Sequence, residues 1–341
     1  MTIRYVLVAG LGAALGAGSV WAADPPIRPL ALDAAEQYLE LARYPESSRP
    51  IRVEEGDPIL SKRLPTPQTL AGPKGADPRL TVWTSGVSFE PGQTVDLFAK
   101  LNLARAGKSL LRKPPLAQIT AELIAETTGP LGKLVYADNG RDADRTANDG
   151  IYSARFVLPL DRAPVIGYAE SIMVKVQART AAGDVRHAVG GFQYSHPGAQ
   201  LTGHFRDGVK EGSLVLSAEV EVLAPGRYHL SSTLANLGGE PLAYAQTAQR
   251  LQPGKHWLDL VFYGLIFRER AAAGPYRLAS ITVTSANEMP NALGPVLSNV
   301  YTTSAHALSA FTTKSFGNAD LLDAARRLQR DANQSVAPKL R

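Results

Sequence analysis

The stretch KLVYADNGRDADRTANDGIYSARFVL, residues 133–158, decides how the chain is read. Two apolar runs, 134–136 and 151–158, flank a loop holding Asp138, Asn139, Gly140, Asp142, Asp144, Asn148, Asp149 and Gly150. Asp and Asn side chains close turns by bonding nearby backbone groups, and Gly supplies backbone angles that other residues avoid. The same side chains are hard oxygen donors, and a Ca²⁺ ion takes about 6–8 oxygens. The loop is therefore an elaborate hairpin turn or a turn that holds a cation, with Asp138, Asn139, Asp142, Asp144, Asn148 and Asp149 as the ligands. Its spacing is not that of an EF-hand, because no Asp-x-Asp-x-Asp-Gly run leads to a bidentate Glu. Arg141 and Arg145 interrupt the acids and can neutralise them. The balance favours a turn without metal, and Ca²⁺ is the one cofactor left open.

Outward from this loop the pattern stays β. Short runs at 80–89, 94–103, 117–125, 133–137, 150–159, 171–180 and 185–194 are separated by turn material such as Pro91-Gly92. Val95, Leu97, Ala99, Leu101 and Leu103 alternate onto one face, the period of a half-buried strand. About seven strands in this length is the count of an immunoglobulin-like sandwich, with Trp83 and Phe156 as candidates for its inter-sheet core. A second series follows the linker His196-Pro197-Gly198, at 200–209, 213–223, 226–235, 242–251, 256–265, 276–285 and 298–307. Leu214, Leu216, Ala218, Val220 and Val222 share a face there, and a second sandwich is the economical reading.

The ends differ. Residues 1–22, MTIRYVLVAGLGAALGAGSVWA, have a basic start at Arg4, an apolar run over 5–20 and a small-x-small site ending at Ala22, the layout of a secretory signal peptide. Cleavage near Ala22 would send the chain to the periplasm or beyond, with no transmembrane segment in the mature part. Residues 31–44 read as a short amphipathic helix with Ala35, Leu39 and Ala42 on one face, and 46–78 as an irregular segment lying along a later domain. Residues 320–329 read as a helix capped by Asn318. The expected organisation is a signal peptide at 1–22, a helical and irregular segment at 23–78, sandwiches at 79–196 and 197–307, and a helix with tail at 308–341. The fold class is mainly β, two tandem immunoglobulin-like β-sandwiches.

Composition narrows the function. With no cysteine, disulfides, thiolate metal sites and a lipidated N-terminal Cys are excluded. The net charge of +5 is mild and scattered, and Arg326, Arg327 and Arg330 fall on the C-terminal helix, so nucleic acid is not an expected partner. His187, His196, His204, His229, His256 and His306 form no HExxH pair, no Ser sits in a Gly-x-Ser-x-Gly elbow, and no Gly-rich phosphate loop is present. Glu122 and Glu126 read as a solvated strand face. No catalytic residue is assigned, and the balance is against an enzyme. Trp257 and Tyr263 are the candidate ligand residues, because exposed aromatics of a sandwich can stack on sugars, although core or cross-strand packing is the favoured reading of such residues.

Several motifs carry a family resemblance. They are Arg43-Tyr44-Pro45-Glu46-Ser47-Ser48-Arg49-Pro50, the ending Asn148-Asp149-Gly150-Ile151-Tyr152 of the Asp-rich loop, Leu251-Gln252-Pro253-Gly254, Gly274-Pro275-Tyr276-Arg277-Leu278 and Tyr301-Thr302-Thr303. Through them the chain resembles the bacterial exported family catalogued as domain of unknown function 4785. The resemblance implies an N-terminal segment followed by two immunoglobulin-like domains, and it brings no catalytic residues. The Asp-rich loop also resembles a turn in sandwich domains of other bacterial exported proteins, including ones appended to hydrolases and adhesins. The expected function is thus an exported, non-enzymatic binding or scaffold module at or beyond the cell envelope, with an unknown protein or a glycan as partner. The alternatives are an accessory carbohydrate-binding protein and a metal-assisted extracellular hydrolase.

Overall fold

The structure, a computed structural model, describes residues 27–70, 79–105, 108–110, 116–181 and 183–334. The expected leader, residues 1–22, lies outside the described residues. Strand makes up 48% and helix 16% of the described residues, so the fold is mainly β, as expected. The described residues fall into two compact units, one of 44–315 and one of 27–43 with 316–334. Among the described residues no helix is long and apolar enough to cross a membrane.

In chain order the elements are α1 (Ile27–Leu41), β1 (Ser48–Pro50), α2 (Pro58–Ser61), β2 (Gln68–Thr69), β3 (Arg79–Thr84), β4 (Ser88–Phe89), β5 (Thr94–Arg105), β6 (Lys108–Leu110), β7 (Leu116–Ala125), β8 (Gly129–Val135) and β9 (Ile151–Val157). They continue with β10 (Tyr168–Thr180), β11 (Val185–His196), β12 (Ala199–Lys210), β13 (Ser213–Val222), β14 (Gly226–Ala235), β15 (Pro241–Leu251), β16 (Gly254–Phe262), α3 (Gly264–Glu269), β17 (Arg277–Ser285), β18 (Ala292–Leu293), β19 (Leu297–Ser298) and α4 (Ala319–Gln334).

The first sandwich faces a sheet of order β2-β3-β5-β6, with β9 also on β5, against a sheet of order β4-β11-β10-β7-β8. Period-two alternation builds its core. Val95, Leu97, Ala99 and Leu101 of β5 meet Ile119 and Leu123 of β7 and Ile172, Val174 and Val176 of β10, all buried. Each such Val, Leu or Ile taken from water contributes roughly 1.5–3 kcal/mol. Trp83 is not in this core. Leu80, Val82 and Thr84 take the inward positions of β3, so Trp83 points outward and stacks on its register partner Phe98, ring centroids 5.5 Å apart. Phe156 is partly buried against the core. The strand expected at 80–89 is two strands, and the one expected at 133–137 runs earlier, through Pro130. An edge strand can hold a proline because its outward amide has no ladder partner, and β8 ends its sheet.

The second sandwich faces a sheet of order β1-β15-β14-β17-β18, with β19 on β17, against β12-β13-β16. Leu214, Leu216, Ala218, Val220 and Val222 of β13 are all buried, as their alternation predicts, against Leu230, Leu260, Phe262, Ile281 and Val283. Two expected strands differ. The one at 256–265 stops at Phe262 and α3 follows, while 298–307 keeps only its first residue in β19 and a single bridge at Thr302. That last segment is held by side chains instead, as described below. The segment 46–78 is not wholly irregular: β1 adds an edge to the second sandwich and β2 an edge to the first. Between them Asp57 caps α2, accepting from the Ile59 and Leu60 amides.

In the smaller unit α1 and α4 pack on each other. Ala35, Ala42, Ala325 and Ala332 are its buried small residues, whereas Leu39 is largely exposed and not on the buried face expected for it. Asn318 caps α4 as expected, its Oδ1 accepting from Leu321 N–H at 3.2 Å.

Candidate functional site

The Asp-rich loop joins β8 to β9 across the core of the first sandwich. Its base is a bridge between Ala137 and Ser153, whose backbones exchange hydrogen bonds at 2.9 and 2.8 Å. Above the base the chain must turn several times in few residues. Gly140, Asp142, Asn148 and Gly150 have φ values of 72°, 56°, 63° and 87°, the left-handed region that Gly, Asn and Asp tolerate best.

Side chains hold these turns. Asp144, only 6% exposed, accepts from Gly140 N–H at 2.6 Å and from Thr146 N–H at 3.1 Å. Asp138 Oδ2 accepts from Gly150 N–H at 3.1 Å, which ties the two ends of the loop together. Asn139 and Asp149 close smaller turns, accepting from Arg141 N–H at 3.0 Å and Ile151 N–H at 2.8 Å. Charge-assisted bonds from amides to carboxylates are roughly twice as strong as neutral ones.

Of the six expected ligands, the structure gathers Asp138, Asp144 and Asp149, with one carboxylate oxygen from each within 4.8 Å of the others. These oxygens suit a hard cation such as Ca²⁺ by chemistry, but several already serve backbone amides. Asn139 is engaged with Arg141. Asp142 lies away from the three, on the wall of a neighbouring cleft of about 460 Å³ that it shares with Trp83, Phe98, Asp96, Arg145 and Arg155. There Arg155 Nε donates to Asp96 Oδ1 at 2.7 Å.

The other candidates are dispersed. Trp257 is 40% exposed on β16, and the Arg206 guanidinium sits 4.3 Å from its ring centre. Tyr263 packs against the core of the second sandwich and donates its hydroxyl to the Lys314 carbonyl at 2.8 Å. Glu122 stands in register between Lys133 and Lys175 on the outward face of its sheet. His196, His204 and His256 each meet a separate partner: the Pro164 carbonyl, Glu219 and the Gln252 carbonyl.

Sequence reasoning did not single out Asp207. Its side chain is 1% exposed and accepts from Tyr301 OH at 2.6 Å, His306 Nε2 at 2.6 Å and Ser304 N–H at 3.1 Å. Burial by itself would raise this carboxyl. The bonds from Tyr301, His306 and Ser304 outweigh it and hold the group below the usual range. Burial, with the Asp207 bond added, pushes the Tyr301 hydroxyl up to about 12. This cluster fastens the 299–311 segment to β12 where a strand ladder was expected. Nothing in the local sequence pairs residues 99 positions apart.

The sandwiches meet at a short junction. Only Pro197 and Gly198 separate β11 from β12. Ser195 donates to the Leu293 carbonyl at 3.0 Å, and Gly198 N–H to Ser285 Oγ at 2.9 Å. Asn287 donates from Nδ2 to the Gly167 carbonyl at 3.2 Å and accepts Arg227 N–H at Oδ1 at 2.8 Å. A Cβ on Gly198 would lie 2.6 Å from the Tyr228 hydroxyl and 3.0 Å from Gly167 Cα, so this crossing requires glycine.

Comparison with known proteins finds the second sandwich. Residues 198–291 match the domain of unknown function (DUF4785) C-terminal domain. A DUF4785 family protein of Legionella pneumophila is a similar solved structure, with 17% identity, a TM-score of 0.44 and coverage of 69% of this chain and 59% of that one. This chain thus spans under two thirds of that protein. A tetra-tandem repeat from the extending region of a large adhesion protein is similar at 14% identity and a TM-score of 0.23, over 68% of this chain and 49% of that one. No curated protein matches. The match over residues 198–291 is thus to the C-terminal domain of the DUF4785 family, the family that the sequence motifs resemble.

Proposed function

We propose that the chain is an exported, non-enzymatic binding or scaffold module of the cell envelope or its exterior, whose two sandwiches act as one locked unit. The observation that carries this reading is the junction. A two-residue link braced by Ser195–Leu293 and Asn287–Gly167 fixes one sandwich on the other, as a protein that presents surfaces in a set relation requires. Export rests on the leader pattern of residues 1–22. Cell fractionation with N-terminal sequencing tests that part. Mature chain starting at Ala23 outside the inner membrane supports it, and full-length chain starting at Met1 in the cytosol overturns it.

A second reading concerns the Asp-rich loop alone. The nearness of the Asp138, Asp144 and Asp149 oxygens favours Ca²⁺ as an added support for the turn. The amide bonds to the same carboxylates favour a turn that stands without it, and this is the reading retained.

A further inference from the structure

At the sandwich junction, β14 and β15 place two arginines face to face. Arg227 is the direct register partner of Arg250. Their neighbours Tyr228 and Leu251 are buried in the core, so by strand alternation both arginines project from the outer face of the sheet. Like charges directly opposite on neighbouring strands are destabilising. Such a pair is usually separated or matched by a carboxylate. Among the described residues, neither guanidinium makes an ion pair or a side-chain hydrogen bond.

The pair lines a cleft of about 350 Å³, together with Pro225 and Gly226 of the second sandwich and Tyr168 of the first. No Asp or Glu is in its lining. Asn287 in the wall is held by Arg227 N–H and the Gly167 carbonyl, and it brings no negative charge to the cleft. His229, the next outward residue of β14, reports the local field: burial first, and the Arg227 charge second, push its imidazole below the usual range.

We propose that this cleft is a binding site for a phosphate monoester, gripped between the Arg227 and Arg250 guanidiniums. The charge argues for it, because two fixed cations match the roughly −1.5 to −2 of a phosphate monoester at neutral pH better than the single charge of a carboxylate. The geometry argues for it too. Guanidinium forks donate paired N–H groups to phosphate oxygens, and an anion between them turns the repulsion of the pair into attraction. The volume falls within the range of about 300–1,000 Å³ usual for small-ligand sites. With Tyr168 on one wall and Arg227 on the other, the ligand would touch both sandwiches. The proposal goes beyond the module reading, and its failure would leave that reading standing.

Titration calorimetry of the mature chain with inorganic phosphate, against acetate at matched ionic strength, tests it. Saturable phosphate binding is expected, weakened at least about tenfold by Arg250→Gln and by Arg227→Gln, with Arg206→Gln, outside the cleft, unchanged. Arg250 is exposed, so Arg250→Gln remains informative if Arg227→Gln fails to fold. No saturable heat, equal binding of acetate, or an equal loss in Arg206→Gln overturns the site. Glycerol 3-phosphate and phosphatidylcholine vesicles containing phosphatidic acid then separate the sources. Binding of the soluble ester alone indicates a metabolite, binding of the vesicles alone a lipid headgroup, and binding of neither overturns the monoester assignment.

Discussion

The carboxylate of Asp144 accepts the Gly140 amide at 2.6 Å from inside the loop that joins β8 to β9. Gly140 itself has φ of 72°, and a Cβ there would meet Ala147 at 3.2 Å. The two residues thus define one turn, one by its acceptor and one by its backbone. Asp144→Ala leaves two amides near a buried position without their carboxylate and should cost about 2–3 kcal/mol in urea unfolding. Asp149→Ala, at an exposed position, should cost about 1 kcal/mol or less.

The same bonds set the response to calcium. Because the carboxylates already serve backbone amides, the melting temperature in millimolar Ca²⁺ should equal that in chelator. A rise of several degrees on adding Ca²⁺, lost in Asp144→Asn, would show that a cation is part of the turn.

Asp207 predicts an acid-sensitive clasp. Its folded carboxyl is held below the ordinary range, so the folded chain binds this proton less readily than the unfolded chain. The stability it contributes is therefore complete above the unfolded carboxylate pKa, about 3.9, and is lost as pH falls through the folded value. Asp207→Asn should cost about 1–2 kcal/mol at pH 7 and flatten the acid limb of a stability profile measured by denaturant titration. An unchanged acid limb would show that other carboxylates govern it.

Trp257→Ala should change stability by no more than about 1 kcal/mol, since the ring is 40% exposed and its recorded partner is Arg206. A folded variant is then a clean reagent on a glycan array. Glycan binding by the native chain that disappears in Trp257→Ala would favour the carbohydrate-binding alternative.

Much of the fold was legible because strand alternation writes burial directly into sequence. Leu214 to Val222 name their own core face, and residues 226–235 form a strand with the bounds expected. The errors fall where residue chemistry overrides a local pattern or where long-range partners decide. Trp83 looks like core by its chemistry, yet alternation with Leu80 and Val82 turns it outward onto Phe98. The run 298–307 reads as a strand, but that segment is held by Asp207 instead. At the Asp-rich loop the residue types showed a braced turn, while only the structure separates Asp142 from Asp138, Asp144 and Asp149. Arg227 and Arg250 carry no signal until the register of β14 and β15 is known.

The central claim is that the two sandwiches act as one locked unit, and a distance measurement across the junction tests it most directly. The chain has no cysteine, so Lys175→Cys on β10 and Lys255→Cys on β16, both exposed, can be spin-labelled without interference. Pulsed dipolar spectroscopy should give a single narrow distance distribution, which Asn287→Ala broadens by removing the bond to Gly167. A broad or multiple distribution in the chain with Asn287 intact would contradict the account.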